Sequence, residues 1–258
     1  MQQRYMPPNG PPRTSARHFR LTWLGFSALV LIFCGLLGFG VTAGAVFAWH
    51  AAFETDYEVL DVPPPVYAQS AMGPQAAAAP LSSVFTPEVQ YWAPLIKAWA
   101  QAYQIDPNLI ATLIQIESCG DLYVASPAGA QGLFQVMPFH FQPGEDMLEP
   151  HTNARRGLDY LLGSLQRADG HVGLALAGYN GGHGVIWRGW AAWSEQTRRY
   201  YTWGTGIYFE AISGAESSPT LQEWFAVGGV NLCANAAVSL QQLQQEQEQA
   251  DASAFPTP

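Results

Sequence analysis

The chain has 258 residues, 48% of them hydrophobic, and a formal net charge of −9. This composition supports one globular domain with appendages and argues against a wholly disordered protein. The acidic balance, without clustered Lys and Arg, argues against nucleic acid as a partner, because binding to phosphates needs concentrated positive charge.

The first predicted element is a membrane-spanning helix at residues 21–49. This stretch has no charged side chain, and about 20 apolar residues are enough to cross the hydrocarbon core. It is longer than the hydrophobic region of a cleavable signal peptide, about 7–15 residues. Small residues at 43–45 keep cleavage open as the alternative.

The charges around this span predict its orientation. Four Arg and no acid precede it, whereas all 20 acidic residues follow it. The positive-inside rule therefore places a short arm, residues 1–20, in the cytoplasm and the remainder outside. We expect a single-pass protein of the cytoplasmic (inner) membrane with an extracytoplasmic domain.

Composition divides the rest of the chain into four parts. Residues 50–83 are rich in Pro and Ala, which is typical of an extended linker. A domain is predicted at 84–212 and a helical extension at 213–238. The Gln- and Glu-rich segment 239–258 is predicted to be a disordered tail, with continuation of the preceding helix as the alternative.

The periodicity within the domain is helical. Apolar residues recur every three or four positions from Val89 to Tyr103. A second helix has Asp106 as its N-cap and Pro107 as its first residue, and Gly120 suits its end.

Further helices are predicted at about 154–168 and 172–179, and the aromatic-rich stretch 187–209 adds one or two more. Because no run of residues alternates as in a strand, the sequence predicts an all-α domain.

Glu117 is the candidate catalytic acid. It shares one helix face with Ile110, Leu113 and Ile114. A carboxylate on an apolar face is costly to desolvate, which raises its pKa, and the negative end of the helix dipole acts in the same direction. Such a group can donate a proton to a glycosidic oxygen. Position alone leaves a solvent-facing Glu at the helix end as the alternative.

Four sequence blocks follow one another from Glu117 onward. The pattern E-S-x(7)-S-P-x-G-A-x-G-L-x-Q-x-M-P covers residues 117–138, and A-L-A-x-Y-N-x-G covers 175–182. Between them, N-x-x-x-G-x-x-Y-L covers 153–161, and T-R-x-Y follows at 197–200. Together the blocks resemble the soluble lytic transglycosylase family, whose domain is similar to goose-type lysozyme. The resemblance covers roughly residues 90–208.

The resemblance implies an all-α, lysozyme-like fold, a single catalytic glutamate at Glu117, and no metal or organic cofactor. The family's substrate contacts fall on Ser126, Gln135, Met137, Tyr179, Asn180 and Tyr200. Ser126 and Gln135 carry hydrogen-bonding groups that suit the N-acetyl and hydroxyl groups of a sugar. Ordinary structural explanations also exist, because Ser126 is a good turn former, Met137 a core filler and Asn180 a helix cap.

The reaction implied by the resemblance is cleavage of the MurNAc-β-1,4-GlcNAc bond of peptidoglycan. We hypothesise that Glu117 protonates the glycosidic oxygen and that the 2-acetamido group of the substrate stabilises the oxocarbenium-like state, in place of a second carboxylate. Glu117 then takes the proton of the C6 hydroxyl, and a 1,6-anhydro ring closes without water.

Two alternatives remain open from the sequence. A hydrolytic lysozyme would need a second carboxylate to activate water, for which Asp121, Glu145 and Asp146 are the candidates. A non-catalytic wall-binding or scaffold module is the other alternative, and the intact Glu117 and motif blocks argue against it.

Cys119 and Cys233 are the two cysteines outside the predicted span. Thiols on the outer side of a membrane tend to be oxidised, and an even pair favours one disulfide. Two buried free thiols are the alternative.

The expected partners are the glycan strands of peptidoglycan and the membrane itself, contacted through residues 21–49. A tethered enzyme suits either wall remodelling during growth or local opening of the wall for an envelope-spanning secretion or conjugation machinery. The sequence does not separate these settings.

Overall fold

The structure, a computed structural model, describes residues 71–254. The predicted cytoplasmic arm, the membrane span and the first part of the linker lie outside the described residues, as do residues 255–258. No helix between residues 71 and 254 has the length and apolar character needed to cross a membrane. The described residues all belong to one compact unit of the chain, Pro63–Pro258.

Residues 71–254 fold into α-helices joined by turns and loops. The helices are α1 (Pro74–Ala77), α2 (Pro87–Tyr91), α3 (Ala93–Tyr103), α4 (Pro107–Glu117), α5 (Pro150–Arg167), α6 (Val172–Gly181), α7 (Glu195–Ile212), α8 (Pro219–Trp224) and α9 (Val230–Ala254). Shorter 3₁₀ turns cover Pro138–His140, His183–Trp187 and Trp190–Ala192, and a π-helical turn covers Phe225–Gly229. Pairing of the β type within this range is limited to isolated bridges. The prediction of an all-α domain is confirmed.

Helix α4 is the central helix and begins where the sequence predicts. Its N-cap Asp106 accepts a hydrogen bond from the backbone N–H of Asn108 at 2.8 Å, and Pro107 opens the first turn. The Tyr208 hydroxyl on α7 donates to the same carboxylate at 3.2 Å. Nearly every residue of α4 is buried, and the helix packs against α3 and α7. These contacts fix the helix that carries Glu117.

Helix α4 ends at Glu117 with a sharp change of direction. Cys119 and Gly120 follow with φ values of 53° and 87°, in the left-handed region. A Cβ on Gly120 would lie 2.6 Å from the carbonyl oxygen of Glu88, so a larger residue does not fit there. The chain therefore turns away just after Glu117 and leaves this carboxyl at the helix end.

Two helix boundaries differ from the sequence prediction. The first helical stretch is divided at Trp92, which serves as the N-cap of α3. Helix α5 starts at Pro150, earlier than the predicted start near 154, because the Glu149 carboxylate accepts hydrogen bonds from the backbone N–H of His151 at 3.0 Å and Thr152 at 2.7 Å. Glu is an uncommon N-cap, which explains why the start was predicted too late.

The end of the predicted linker packs on the domain. Ala71 is fully buried, and its carbonyl accepts from the backbone N–H of Asp106 at 2.9 Å. The Asn108 side chain donates to the Pro80 carbonyl at 2.9 Å and accepts from the Ser82 N–H at 2.8 Å. The packed region thus includes residues 71–83 of the predicted linker, because these hydrogen bonds attach the segment to the start of α4.

The C-terminal segment is helical as far as it is described. Helix α8, the π-helical turn and helix α9 follow α7 in the predicted extension. Helix α9 continues to Ala254 and so includes most of the segment 239–258. For residues 239–254 the structure therefore has the helix that was the alternative to a disordered tail.

Candidate active site

Glu117 is the half-buried last residue of α4. The Tyr200 hydroxyl on α7 donates a hydrogen bond of 2.6 Å to Glu117 Oε1. Burial raises the pKa of Glu117 to about 7, and the hydrogen bond from Tyr200 opposes this shift. The direction is the one expected for a carboxyl on an apolar helix face. A group with this pKa can donate a proton and later accept one near neutral pH.

Glu117 opens into a cavity of about 460 Å³, within the range of roughly 300–1,000 Å³ that is usual for ligand sites. This Glu117 cavity is formed by residues of α4, α6, α7 and α8. They are Ile116, Glu117, Asn180, Glu195, Gln196, Arg199, Tyr200, Trp203 and Trp224.

A second cavity of about 240 Å³, the Met137 cavity, adjoins the first. It is formed by the loop before α5 and by residues of α5 and α6. They are Gln135, Val136, Met137, Phe139, His140, Arg156, Gly157, Tyr160, Tyr179, Asn180 and Gly182. Asn180 lines both cavities, so together they make an extended cleft, a shape that suits a polymer.

The structure places five of the six predicted substrate contacts in this cleft. Gln135, Met137 and Tyr179 line the Met137 cavity, Tyr200 lines the Glu117 cavity, and Asn180 lines both.

Ser126 lines neither cavity. Its hydroxyl accepts a hydrogen bond from the backbone N–H of Ala130 at 3.0 Å, within the turn that contains Gly129. This is the turn-forming role that the sequence left open for Ser126.

An aromatic wall forms one side of the Met137 cavity. The Tyr179 hydroxyl donates to the Phe134 carbonyl at 2.7 Å, and its ring meets Tyr160 edge-on at 5.6 Å. Tyr160 in turn stacks on His183 at 4.2 Å. Burial raises the pKa of Tyr179 well above its usual range and lowers the pKa of His183. Both shifts favour the uncharged forms of Tyr179 and His183.

Asn153 on α5 holds the loop that carries Gln135 and Met137. Its fully buried side chain accepts from the Phe134 N–H and donates to the Gln131 carbonyl, both at 2.9 Å. It also donates to the Met147 carbonyl at 2.9 Å. The block N-x-x-x-G-x-x-Y-L therefore positions one wall of the cleft.

We expect Asn153→Ala to lower the free energy of unfolding by about 3 kcal/mol, because buried backbone groups left unpaired cost about 1–3 kcal/mol each. Denaturant unfolding of the variant and the wild type measures the difference. Asn231→Ala, at an exposed position of α9, is the matched control and should change the free energy by less than about 0.5 kcal/mol. Equal losses of unfolding free energy in the two variants would contradict the structural role of Asn153.

None of the three acids proposed as a second carboxylate lines either cavity. Asp121 is buried and accepts from the Tyr123 N–H at 2.9 Å. Glu145 pairs with Arg155 and Arg156, and the hydrogen bond from Arg156 lowers the pKa of Glu145 to about 2.

The third acid, Asp146, is exposed and accepts from the Leu148 N–H at 2.9 Å.

Within the described range, the other carboxylate of the Glu117 cavity is Glu195, which the sequence had not singled out. Glu195 is exposed and forms an ion pair with Arg199 one helical turn along α7. Its position two residues before the T-R-x-Y block was the available signal.

Cys119 and Cys233 form a disulfide with a Cα–Cα distance of 5.0 Å. The Gln115 side chain donates to Cys119 Sγ at 3.0 Å. The bond ties α9 to the turn just after Glu117. The structure therefore contains the disulfide and not the two free thiols that the sequence left open as the alternative.

In the described part of the chain, no three His, Cys, Asp or Glu side chains converge as a metal site.

Two tryptophans of the Glu117 cavity were also missed. Trp203 follows the T-R-x-Y block on α7, and Trp224 ends α8. Trp224 belongs to the segment 213–238, for which the motif blocks have no counterpart, so no sequence pattern connected it with Glu117.

Comparison with known proteins agrees with the motif blocks. Residues 94–201 match the family model of the transglycosylase SLT domain. A transglycosylase of Enterobacteria phage PRD1 is 34% identical over 114 residues, which cover 43% of this chain and 40% of the phage protein. The chain therefore spans less than half the length of this relative. The resemblance to the lytic transglycosylase family is confirmed for residues 94–201.

Two solved structures are also similar. The 70-kDa soluble lytic transglycosylase SLT70 of Escherichia coli has a TM-score of 0.40 and 24% identity, with 50% of this chain and 25% of that chain covered. An inactive mutant of the lytic transglycosylase Slt of Pseudomonas aeruginosa has a TM-score of 0.40 and 21% identity, with 48% and 25% covered.

Proposed function

We propose that this chain is a peptidoglycan lytic transglycosylase that cleaves the MurNAc-β-1,4-GlcNAc bond and leaves a 1,6-anhydro-MurNAc end. The observation that carries the proposal is Glu117. It lies within an SLT domain, in a cavity of suitable size, and burial raises its pKa to about 7.

In the proposed reaction Glu117 acts twice. Its protonated carboxyl donates to the glycosidic oxygen as the C1–O bond breaks, and the leaving sugar departs with that proton as a hydroxyl group. The substrate's acetamido group stabilises the cationic C1. The carboxylate then accepts the proton of the C6 hydroxyl while that oxygen bonds to C1. The proton balance is restored and no water is consumed.

Hydrolysis is the second candidate, and the positions of the acids disfavour it. A hydrolase needs a second carboxylate that can act as a base or nucleophile. None of Asp121, Glu145 and Asp146 lines the cleft. Asp121 and Asp146 accept backbone hydrogen bonds, and Glu145 pairs with Arg156 of the Met137 cavity. Glu195 lines the Glu117 cavity but is exposed and paired with Arg199.

Product analysis tests the proposal. Purified peptidoglycan is digested with the full chain, and the released fragments are separated and weighed by mass spectrometry. We expect fragments that end in 1,6-anhydro-MurNAc. Fragments with only reducing ends would show hydrolysis instead, and no release at all would favour a wall-binding module.

We also propose that residues 21–49 anchor the chain in the cytoplasmic membrane, with its N-terminus inside and the SLT domain outside. The uncharged stretch and the Arg residues before it support this placement. Such an anchor would hold the enzyme near the glycan strands, at a growing wall or beside an envelope-spanning machinery. We expect the chain to remain in membranes that are washed with alkaline carbonate. We also expect a protease to digest its domain only when it is added to the outer side. Release by the wash would contradict the anchor.

The hydrogen bond from Tyr200 gives a pH prediction. General acid activity is present while Glu117 is protonated, so kcat/KM should fall as the pH rises through its pKa of about 7. Tyr200 donates to the carboxylate and holds this pKa down. Tyr200→Phe should therefore move the alkaline limb of the pH profile to higher pH.

The matched control is Tyr201→Phe, because the Tyr201 ring packs against Trp193 at 5.5 Å and does not line the Glu117 cavity. Its profile should follow the wild type. A shift of the limb to lower pH in Tyr200→Phe would contradict the assigned role of the hydrogen bond.

A further inference from the structure

The C-terminal extension reaches the active site. Helix α8 ends at Trp224, and this residue lines the Glu117 cavity. The match to the SLT family model ends at residue 201. Trp224 is therefore a wall of the cavity that comes from outside the matched segment.

The start of α8 is fastened to α7 by Glu210. Its carboxylate accepts hydrogen bonds from the Ser218 hydroxyl and from the Thr220 hydroxyl, the latter at 2.7 Å. Gly206 makes room for this contact, because a Cβ there would lie 2.5 Å from Thr220 Oγ1. These contacts set the position from which α8 runs to the cavity.

The indole of Trp224 is held from behind by the next turn of the chain. The π-helical turn Phe225–Gly229 contains Gly228 with a φ of 123°, a value that favours glycine. The turn brings Gly229 against the indole, and a Cβ on Gly229 would overlap the ring. Trp224 is only 5% exposed. The ring is thus confined between this turn and the cavity.

The disulfide is a third attachment. Cys233, near the start of α9, is bonded to Cys119, which follows Glu117 by two residues. The segment that contains Trp224 is therefore linked covalently, a few residues beyond, to the end of the helix that carries Glu117.

We propose that Trp224 is a positioning residue: the C-terminal extension supplies its indole as an apolar wall that helps to keep water from the Glu117 carboxyl and so raises the proton affinity of the acid. For its effect on turnover, this inference rests on the proposed function. The physical reason is that an apolar wall disfavours the charged form of a carboxyl group.

Two more apolar side chains, Ile116 and Trp203, line the cavity with Trp224, and the polar and charged groups around Glu117 do not supply this effect. Tyr200 donates to the carboxylate and lowers its pKa. Tyr179 interacts with Glu117 electrostatically, and the pKa of Tyr179 lies well above its usual range. Arg199 and Glu195 line the cavity as an exposed ion pair. Desolvation by burial is the largest cause of the raised pKa of Glu117, and it requires apolar walls.

The test compares Trp224→Leu and Trp224→Phe with Phe225→Leu in the full chain. Phe225 is half-buried, contacts the Trp224 ring with centroids 5.6 Å apart and does not line the cavity, so its variant controls for disturbed packing around the indole. The pKa of Glu117 is measured by carboxyl NMR titration of each protein, with the Glu117→Gln spectrum subtracted for assignment. The pH profile of kcat/KM is measured in parallel.

We expect Trp224→Leu to lower the pKa of Glu117 and to move the alkaline limb of kcat/KM to lower pH. A fall of about one unit from a pKa near 7 would reduce the protonated fraction at pH 7, and with it kcat/KM, about five-fold. Trp224→Phe retains an apolar ring and should shift both quantities less, in the same direction. Phe225→Leu should leave the pKa of Glu117 unchanged.

An unchanged pKa of Glu117 in the Trp224 variants, or an equal shift in Phe225→Leu, overturns the inference. If Trp224→Leu does not fold, the milder Trp224→Phe variant decides between these outcomes alone. The titration needs no turnover, so its result is independent of the proposed function. A wild type that releases nothing from peptidoglycan would overturn the proposed function instead.

Discussion

Glu117→Gln is expected to lower kcat/KM on peptidoglycan by about 10²–10⁴-fold, the contribution that a positioned general acid makes. The amide has nearly the shape of the carboxyl and can still accept the hydrogen bond of Tyr200. It cannot exchange the proton that both steps require. Release of soluble fragments from purified peptidoglycan measures the loss, and a zymogram shows it qualitatively. Equal clearing by variant and wild type would remove Glu117 from the mechanism.

The same variant should be at least as stable as the wild type at neutral pH. The folded pKa of Glu117 is raised above its ordinary value of 4.5 to about 7. Between these values the folded state binds the proton more tightly than the unfolded chain, so stability falls as the pH rises. Above about pH 7 the full cost of the buried charge is present. A melting temperature of Glu117→Gln equal to or above that of the wild type at pH 8 would therefore separate loss of activity from loss of fold.

Glu195→Gln distinguishes the two reaction types. If Glu117 acts alone, removal of the Glu195 charge affects the cavity only through the exposed pair with Arg199, which contributes little. We expect a loss of kcat/KM below ten-fold. A loss comparable to that of Glu117→Gln would assign Glu195 as a second carboxylate and support hydrolysis.

Removal of the Cys119–Cys233 disulfide should have the largest effect on stability. The bond closes a loop with a sequence separation of 114 residues, for which the loss of unfolded-chain entropy is worth about 4 to 5 kcal/mol. The double variant Cys119→Ala with Cys233→Ala should unfold at a clearly lower denaturant concentration. Because the bond also fastens the segment behind Trp224, kcat/KM should fall as well.

Reductant provides the matched control for the disulfide. Reductant should lower the denaturation midpoint of the wild type to near that of the double variant. It should leave the midpoint of the double variant unchanged. A wild type whose denaturation midpoint is the same with and without reductant, under conditions where its thiols become alkylated, would contradict this role of the bond.

Much of the site could be predicted because its residues lie in short segments with their own local signals. The cap Asp106 and Pro107 define the start of α4, and the apolar face identifies Glu117. Gln135, Met137, Tyr179 and the residues beside them lie in blocks that fold locally or pack on α4. Sequence blocks of four (197–200) to 22 residues (117–138) were therefore enough to predict most of the residues that line the cleft.

The features that could not be predicted depend on contacts between distant parts of the chain. Trp224 lines the Glu117 cavity in a segment that contacts with Glu210 and Gly229 and the disulfide hold in place. No short sequence pattern predicts these contacts between distant residues. Ala71 is buried because it lies beside Asp106, whereas composition alone assigns Pro- and Ala-rich sequence to a linker.

The position of Ser126 shows a different limit. A Ser before Pro is compatible with both a turn and a substrate contact, and only the bond to Ala130 shows which role its hydroxyl has in this structure. The acids near Glu117 were likewise beyond sequence reasoning, because distance in space decides whether a carboxylate is close enough to activate water.

The most direct test of the account is the fate of solvent oxygen during cleavage. Peptidoglycan is digested by the full chain in water enriched in heavy oxygen, and the masses of the fragments that carry the new glycan ends are measured. If Glu117 regains its proton from the C6 hydroxyl, the new ends are 1,6-anhydro-MurNAc without label, lighter than a hydrolysed end by one water. New reducing ends that carry the heavy isotope would contradict the proposed reaction and identify the chain as a hydrolase.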